Sequence, residues 1–564
     1  MSRELQILGA RDRFAGGGGM QLKQFASWRF SLIFFHRWLG ILIGLMFVIW
    51  CISGIVLLYA GIPHITAGER LYRLPVLDAS TINVSPQQAL EATGLEARPF
   101  RLRVSMHNGR PVYRINTGNV FGNWTLVYAD TGEVMADLDQ EQAVAWLAGT
   151  MPEYQGSFTV ETTLTGPDFW THSPILQNHM PMHRIALDDA AGTRYYVSAG
   201  SGEAVMKTDA SSRLLGLLGY NIHTLFFWRQ KSWHGDILNW LSWTGLLMAV
   251  LGLALGIWRY SLKPAYINRG VKYRTPYAGW YKWHHYAGVI FGLFIITWVL
   301  SGLVSMGQIP GITETLYSPV QLEAGARTVQ GQNAHVDFAP MSAASVRNAA
   351  SRIGAEFELA ELELVPFNGG LYFIGYRKPT RAEMESWRAR SAYDFITPTL
   401  EWDYQLVSAI DPYATPFTRF DETALVTIAR QAMPGANIVA SEWLQEFDNY
   451  YYPTLDTFDL GLPRSVRKLP VLRLQFDDPE STWLYLEPTM GQMTKAEIAD
   501  RRNRWGYYGL HGFDLPGLFT SRPLWDVMAL VLLVGAGVLS CTTLVPMVRR
   551  LKRHFLRKTG LGKA

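Results

Sequence analysis

Cysteine is almost absent from this chain of 564 residues, and its scarcity excludes several kinds of protein. Cys51 and Cys541 both lie in apolar runs, so neither is placed to form a disulfide in a domain exposed to water. No C-x-x-C-H motif occurs, which excludes covalent haem attachment, and no set of cysteines can hold an iron–sulfur cluster. The sequence also has no G-x-G-x-x-G after a strand-like run and no Walker motif. The chain therefore carries no recognisable nicotinamide, flavin or nucleotide module.

Charged residues are scarce too, at 17% of the chain, against about 25% in a typical soluble protein. Hydrophobic residues make up 48%. Four uncharged apolar runs are each long enough to cross a bilayer core of about 30 Å, which takes about 20 residues. These runs cover residues 38–59, 237–258, 286–309 and 527–548. We therefore predict a multi-pass α-helical membrane protein with four transmembrane helices.

Basic residues concentrate before the first run, between the second and third, and after the fourth, whereas most acidic residues lie between 60 and 233 or between 310 and 523. Loops rich in Lys and Arg stay in the cytoplasm, so we expect both termini to be cytoplasmic, in a bacterial inner membrane. Residues 1–19 are expected to be an unstructured lead-in, and Met20 is an alternative start to Met1. The predicted organisation is a cytoplasmic segment at 1–32, transmembrane helices at 33–59, 234–258, 283–309 and 524–548, periplasmic regions at 60–233 and 310–523, a cytoplasmic loop at 259–282 and a cytoplasmic tail at 549–564.

An internal repeat divides the chain into two halves. Residues 36–44 align without a gap with residues 284–292, and both stretches begin with His and carry Gly four and eight positions later. Three further residues recur in the same order, where Trp50, Ser53 and Gly54 correspond to Trp298, Ser301 and Gly302. The segments that lead into the second and fourth runs also match, and they place His223 opposite His511. Two halves with the same direction through the membrane predict a two-fold axis along its normal.

Each predicted periplasmic region contains short α+β modules. The first has a helix at 84–92, strands between 100 and 134, and a second helix at 140–148. The second region repeats this pattern, with helices near 343–353 and 422–432. Strand–turn–strand patterns follow around Gly202 and Gly491. We therefore expect two large extracytoplasmic α+β domains.

These features together resemble the PepSY-associated transmembrane helix family, from about residue 25 to residue 553. The resemblance rests on the His-Arg-Trp-Leu-Gly start and Ser-Gly end of the first span, on helix-plus-hairpin modules with turns such as 128–132, and on the His before the second span. It implies PepSY-like extracytoplasmic domains. Family members include iron-regulated inner-membrane proteins and ferric-siderophore reductases with b-type haem, and isolated PepSY modules are associated with protease propeptides and inhibition.

The histidines carry the chemical signal, because ionisable residues in or beside a span are candidates for function. Imidazole is an axial ligand of haem iron, and two imidazoles suit electron transfer. We predict His36 with His284 as one ligand pair and His223 with His511 as another, binding two noncovalent haem b groups. His234 is the competitor for the second site. The glycines after His36 and His284 make a groove for a flat macrocycle or, alternatively, only allow close helix packing.

Other histidines give weaker signals. His285 and Arg37, each beside a predicted ligand, are expected to contact lipid headgroups or haem propionates. His172, His179, Met180, Met182 and His183 resemble a soft-metal cluster, but their counterparts in the repeat are mostly apolar, which favours a strand. His107 and His335 stand alone and are expected to be ordinary surface residues.

Two functions from different classes fit this pattern. The first is a transmembrane electron-transfer protein, with a reductase or a quinol as electron donor and a periplasmic acceptor such as an Fe(III)-siderophore, which would make it a ferric reductase. The second is a non-enzymatic regulator whose PepSY modules bind a protease or another envelope protein, and whose histidines are structural. Membrane lipids are the remaining expected partners, and no feature indicates nucleic acid.

Overall fold

A computed structural model describes residues 21–558 except 97, 118–122, 230, 269, 310–335, 392–402, 412, 453–466, 519–520 and 522. Three parts of the chain lie outside the described residues: residues 1–20 of the predicted cytoplasmic segment, His335, and residues 559–564 of the predicted cytoplasmic tail. Four long helices form the membrane part and are named spans 1 to 4. They are span 1, Gln21–Leu57; span 2, His234–Arg259; span 3, Trp280–Ser305; and span 4, Leu524–Lys558. Each contains at least 26 residues that are apolar enough to cross a membrane.

The starts of spans 2 and 4 are as predicted, but span 1 begins at Gln21 rather than at residue 33 and span 4 ends at Lys558 rather than at residue 548. Local backbone chemistry explains the end of span 3. Its helix ends at Ser305, four residues before the predicted end at 309. Gly307 follows with φ +68°, and its N–H bonds the Val304 carbonyl, while the Gln308 N–H bonds the Leu303 carbonyl. These two hydrogen bonds, together with a glycine in the left-handed conformation, form a Schellman motif. This motif terminates a helix regardless of the hydrophobicity of the residues that follow.

The spans form a four-helix bundle in which spans that follow each other in sequence are in contact, and span 4 also contacts span 1. Spans 1 and 3 therefore face each other across the bundle. An apolar core fills its middle, and it comprises Ile43, Phe47, Cys51, Ala249, Ile295, Val299, Ala536 and Leu539. The ends of the spans at Leu57, His234, Ser305 and Leu524 are called the sheet side, and the opposite ends the loop side.

The chain on the sheet side is rich in β structure. Its strands are β1 Pro99–His107, β2 Arg110–Thr117, β3 Trp124–Tyr128, β4 Phe158–Leu164, β5 Met182–Leu187, β6 Arg194–Ser198, β7 Ala204–Thr208, β10 Leu359–Phe367, β11 Gly370–Arg377, β12 Tyr404–Ser408, β13 Ile438–Leu444, β14 Val471–Phe476, β15 Trp483–Glu487 and β16 Gln492–Ala496. Two short strands, β8 Tyr266–Asn268 and β9 Val271–Tyr273, form a hairpin on the loop side, in the segment predicted as a plain cytoplasmic loop.

Shorter helices connect and cover the strands. They are Ala67–Arg73, Pro86–Ala92, Gln140–Gly149, Pro174–Gln177, Ala210–Gly216, Ala343–Gly354, Arg381–Ser391, Glu422–Ala432 and Ile498–Asn503, with π-helical turns at Leu217–Asn221 and Arg504–Gly509 and a 3₁₀ turn at Phe226–Trp228. Side-chain caps fix several starts. The Ser85 hydroxyl accepts from the Gln88 N–H, and the Gln88 side chain accepts from the Ser85 N–H, which is a capping box. The helices predicted near 84–92, 140–148, 343–353 and 422–432 are all present.

Strands from the two halves form one antiparallel sheet with the order β12-β11-β10-β1-β2-β3. In each half an Asn-Gly pair with positive φ closes the central hairpin, at Asn108-Gly109 and at Asn368-Gly369, as two-residue hairpin loops require. Strands β1 and β10 pair at the centre, with Arg103 opposite Glu363. The two expected extracytoplasmic domains are thus joined by a shared sheet. Each half adds a four-stranded sheet of its own, β4 to β7 and β13 to β16.

Buried ions link the halves where these sheets meet. The Arg70 guanidinium makes two bonds of 2.7 and 2.8 Å to Glu361, and Arg103 bonds both Glu203 at 2.6 Å and Glu361 at 3.3 Å. Arg114 lies 3.6 Å from Glu203. All five side chains are at least nine-tenths buried, so the pairs must satisfy one another in a medium where an unpaired charge is costly.

His107 lies beside this ion cluster and is 1% exposed, so the prediction of a surface residue is wrong. The β1–β2 hairpin that carries it is covered by Gly202, and the Trp146 ring stacks on the His107 ring at 6.2 Å between centroids. Burial lowers the pKa of His107 to about 3, and the positive charge of Arg114 acts in the same direction. His107 is therefore neutral at physiological pH.

Candidate cofactor site

Two histidines meet inside the bundle near the loop side. His36 projects from span 1 and His284 from span 3, and their ring centroids are 6.3 Å apart with an angle of 32° between the ring planes. Both histidines are half-buried. Because spans 1 and 3 face each other across the bundle, one histidine from each half reaches the central axis. The structure brings this predicted pair together.

Hydrogen bonds define which nitrogen of each ring carries a proton. His36 Nδ1 lies 3.0 Å from the Met248 carbonyl oxygen, which can only accept, so Nδ1 donates. His284 Nδ1 lies 3.2 Å from the Thr542 hydroxyl oxygen, whose own hydrogen is donated to the Leu539 carbonyl at 2.6 Å. Nδ1 of His284 is therefore a donor too. In both neutral rings Nε2 keeps its lone pair, which is the atom a metal ion binds.

The glycines after these histidines divide into two roles. A Cβ at Gly40 would meet nothing within 4 Å, and one at Gly288 would meet only Leu539, at 3.7 Å. These positions leave an open surface one turn after each histidine. A Cβ at Gly44 would lie 3.1 Å from Thr543, and one at Gly292 would lie 3.3 Å from Leu253. The second glycine of each half therefore serves helix packing.

A second pair of histidines meets on the sheet side. His223 and His511 follow the two π-helical turns, and their ring centroids are 6.1 Å apart with an angle of 89° between planes. Gly219 allows the first of these turns to approach span 1, since a Cβ there would lie 3.2 Å from Val56. Burial lowers the pKa of His223 to about 3 and that of His511 to about 4, so both rings are neutral at physiological pH.

The second pair is held by the same contacts in each half. Ser53 Oγ lies 2.9 Å from His223 Nδ1, and Ser301 Oγ lies 2.9 Å from His511 Nδ1. Both serines are almost fully buried. Neither serine was identified as a site residue from the sequence, although the repeat had already marked both as shared positions.

The spacing within each pair matches two imidazoles on one metal ion. A ring nitrogen lies roughly 1.1 Å from its ring centre, and a metal–imidazole bond of about 2.0–2.1 Å places two opposed ring centres about 6.3 Å apart. The observed centroid distances are 6.3 and 6.1 Å. No group of three or more His, Cys, Asp or Glu side chains forms a metal site among residues the structure describes. Two-ligand sites suit a metal whose other donors come from a macrocycle.

The pairs lie at two levels of the same bundle. His36 precedes Ser53, the contact of His223, by 17 residues, and His284 precedes Ser301 by the same number. At 1.5 Å per residue this spacing separates the levels by about 25 Å. The apolar core of the spans fills the layer between them.

The other candidate histidines have their Nε2 atoms engaged elsewhere. His234 Nε2 lies 2.9 Å from the Thr224 carbonyl oxygen, and His285 Nε2 lies 2.9 Å from the Gly256 carbonyl oxygen. His285 is buried against the Tyr277 ring rather than placed at a headgroup-facing surface. Arg37 is half-buried. None of these residues forms a second imidazole pair within the described residues.

The residues considered as a soft-metal cluster do not converge on one point. His183 Nε2 donates to the Leu138 carbonyl at 2.7 Å, and its Nδ1 lies 3.0 Å from the Thr163 hydroxyl. His179 Nδ1 contacts Ser201, and its ring stacks on Trp124. Met182 begins β5 and is fully buried in a hydrophobic cluster. Met182 and His183 lie in a strand, as the repeat favoured, whereas His172, His179 and Met180 lie outside it.

The fold and the paired histidines define a class: a multi-pass membrane protein with four apolar spans and sheet-rich domains between them. A family model described as the PepSY-associated TM region matches residues 34–406, which is more than half of the chain. The chain belongs to the PepSY-associated TM region family. A comparison with curated proteins gives no match.

Proposed function

We propose that this protein carries electrons across a bacterial inner membrane through two noncovalent haem b groups. One haem would be held by His36 and His284, and the other by His223 and His511. The observation that carries the proposal is a pair of adjacent imidazoles at each of two levels, with ring centres 6.3 and 6.1 Å apart. When bound, each haem supplies reversible one-electron chemistry at iron.

The side chains present suit that cofactor. The Nδ1 atom of each of the four imidazoles contacts a protein oxygen that can accept its hydrogen, which would leave Nε2 unprotonated and available to a metal. Gly40 and Gly288 leave open surface beside the loop-side pair for the face of a flat macrocycle. The apolar layer between the levels excludes water, so charge passes this layer without an aqueous pore.

The direction of transfer follows from the orientation of the chain. Basic residues on the loop side support a cytoplasmic location for both termini, which makes the predicted segments 60–233 and 310–523 periplasmic. The internal two-fold repeat then accounts for one ligand from each half at both levels. The electron donor would be a reductase or a quinol, since the chain lacks a nicotinamide or flavin motif. The acceptor would be a periplasmic Fe(III) chelate such as a ferric siderophore, reduced to Fe(II) by one electron.

The test begins with a pyridine haemochrome assay on purified full-length protein expressed with ample haem. Two haems per chain and low-spin bis-imidazole spectra are expected. His36→Ala and His284→Ala should each remove the same haem, and His223→Ala and His511→Ala should each remove the other. His64→Ala is the matched control, because His64 is exposed and bonds only a nearby carbonyl.

The outcome against the proposal is equally clear. Wild-type protein without a Soret band would overturn it and leave the non-enzymatic PepSY regulator as the better account. If only His234→Ala lost the sheet-side haem, His234 would be assigned as its ligand in place of His223 and His511. Electron transfer itself is tested in proteoliposomes of known orientation, where an impermeant Fe(III) chelate outside should oxidise the dithionite-reduced protein, and His223→Ala should slow that step.

A further inference from the structure

A Trp-x-x-Ser sequence ends the membrane part of both spans 1 and 3, and it does the same thing in each. In span 1 the Trp50 indole N–H donates to the His223 backbone carbonyl at 2.9 Å. In span 3 the Trp298 indole N–H donates to the His511 carbonyl at 3.1 Å. Three residues further on, Ser53 or Ser301 contacts the imidazole of that same histidine. Each histidine is thus held at two points, main chain and ring.

A second contact of each serine hydroxyl, to a main-chain carbonyl, indicates which partner donates in the ring contact. Ser53 Oγ–H donates to the Ile49 carbonyl at 2.8 Å, and Ser301 Oγ–H donates to the Trp298 carbonyl at 2.9 Å. A hydroxyl has one hydrogen, so its oxygen must accept from the imidazole. His223 and His511 are therefore fixed as Nδ1–H tautomers, with Nε2 directed away from the serine. An imidazole in the opposite tautomer would place two lone pairs against each other.

We propose that Trp50 with Ser53 and Trp298 with Ser301 are positioning residues that orient and tune the two sheet-side iron ligands. This inference rests on the proposed function, because it assigns the residues to a haem that His223 and His511 would bind. The serine oxygen withdraws positive character from Nδ1–H and makes Nε2 a better electron donor. A better donor stabilises the oxidised iron. These four residues, called the clamp, would therefore lower the reduction potential of that haem.

The similarity of the two halves predicts how the effects of the two serines on the reduction potential compare. The two ring contacts have the same length, 2.9 Å, and both serines are at most 1% exposed. Loss of either hydroxyl should therefore shift the potential in the same direction and by a similar amount. The loop-side pair uses a carbonyl of Met248 and a hydroxyl of Thr542 instead, so it has no part in the clamp and serves as an internal reference.

The experiment is a potentiometric titration of the haem-loaded full-length protein with Ser53→Ala, Ser301→Ala and the double variant. We expect a higher potential for the sheet-side haem only, reaching in the double variant about a tenfold higher ratio of reduced to oxidised haem at fixed potential, which is 59 mV for one electron. Ser53→Thr keeps the hydroxyl and should retain the wild-type value. Ser540→Ala is the control, because Ser540 is buried in span 4 and donates to the Ala536 carbonyl.

Trp50→Phe separates positioning from tuning. It removes the bond to the main chain of His223 but leaves the ring contact, so we expect faster haem loss to apomyoglobin with a smaller shift in potential. Unchanged potentials in both serine variants of a haem-loaded protein would overturn the clamp alone. An equal shift in Ser53→Ala and Ser53→Thr would also overturn it, since packing would then be the cause. A wild type without haem would overturn the proposed function as well.

Discussion

Gly252 of span 2 offers the most direct perturbation of the loop-side pair. A Cβ built on this glycine would lie 2.5 Å from Cε1 of His36 and 3.0 Å from its Nδ1. Carbon atoms in ordinary contact are about 3.5–4.0 Å apart, so Gly252→Ala must move the imidazole by about 1 Å or more. A functional group must usually be held within about 0.5 Å of its working position. The displacement is therefore about twice the tolerance of such a site.

The expected result is specific to one haem. Gly252→Ala should lower the haem count from two to one, with loss of the component that His36→Ala removes. Because alanine favours a helix over glycine by about 1 kcal/mol, the span itself should not be weakened. A pyridine haemochrome count and a reduced-minus-oxidised spectrum measure the effect. Gly235→Ala is the control, since a Cβ there would meet nothing within 4 Å.

The reasoning would be refuted by a Gly252→Ala protein that keeps both haems with unchanged spectra and potentials. That outcome would mean that His36 does not occupy this position when the cofactor is bound. A protein that loses both haems and no longer elutes as a single species in detergent would show a folding defect. His36→Ala would then decide the question, since the ligand assignment requires that this variant stays folded and loses only the loop-side haem.

Three further predictions concern the sheet domains and the groove. Glu361→Ala leaves Arg70 and Arg103 buried without this partner and should cost about 3–5 kcal/mol, read as a lower thermal midpoint of tryptophan fluorescence. Glu385→Ala removes an exposed i,i+4 pair that solvent screens, so its midpoint should barely change. Equal losses in the two variants would contradict the buried-pair argument. Because the pKa of His107 is lowered to about 3 in the folded state, the unfolded chain takes up this proton first as pH falls below 6.5, so stability falls by at most about 1.4 kcal/mol per pH unit. His107→Phe should reduce the loss of stability between pH 7 and pH 5, and an unchanged pH profile would contradict it. Gly40→Phe fills the open surface beside His36 and should lower retention of the loop-side haem, whereas retention equal to wild type would assign that surface to lipid.

Much of the architecture can be predicted from local sequence. The helix Glu422–Ala432 has the predicted bounds because Asp421 caps its first turn and its apolar residues follow a helical period. The histidine pairs were predicted from the repeat, since residues that correspond in two halves around one axis lie opposite each other. Local patterns are sufficient wherever the deciding contacts lie within one turn or within the repeat itself.

The join between the halves could not be predicted in the same way. Strands β1 and β10 are separated by more than 250 residues, and no local signal specifies that they pair. Arg103 and Glu363 alternate with apolar residues along their strands, which is the usual pattern of a solvent-exposed sheet face. Here that face is covered by the hairpin that bears Glu203, so charged side chains that appear solvated in sequence are buried. The serine contacts were missed for a related reason, because a buried hydroxyl in a span carries no sign of its partner.

The shared sheet constrains how anything can cross this membrane protein. Carriers that move solutes alternate between inward-open and outward-open forms by rocking one repeat against the other. Here the central strands β1 and β10 are hydrogen-bonded to each other, and Arg70 and Arg103 from one half are paired with Glu361 from the other. Rocking the halves apart would break the hydrogen bonds between β1 and β10. It would also leave several buried charges without their partners. A joined scaffold of this kind disfavours alternating access, and it suits the proposed electron transfer, in which two centres would keep a constant separation.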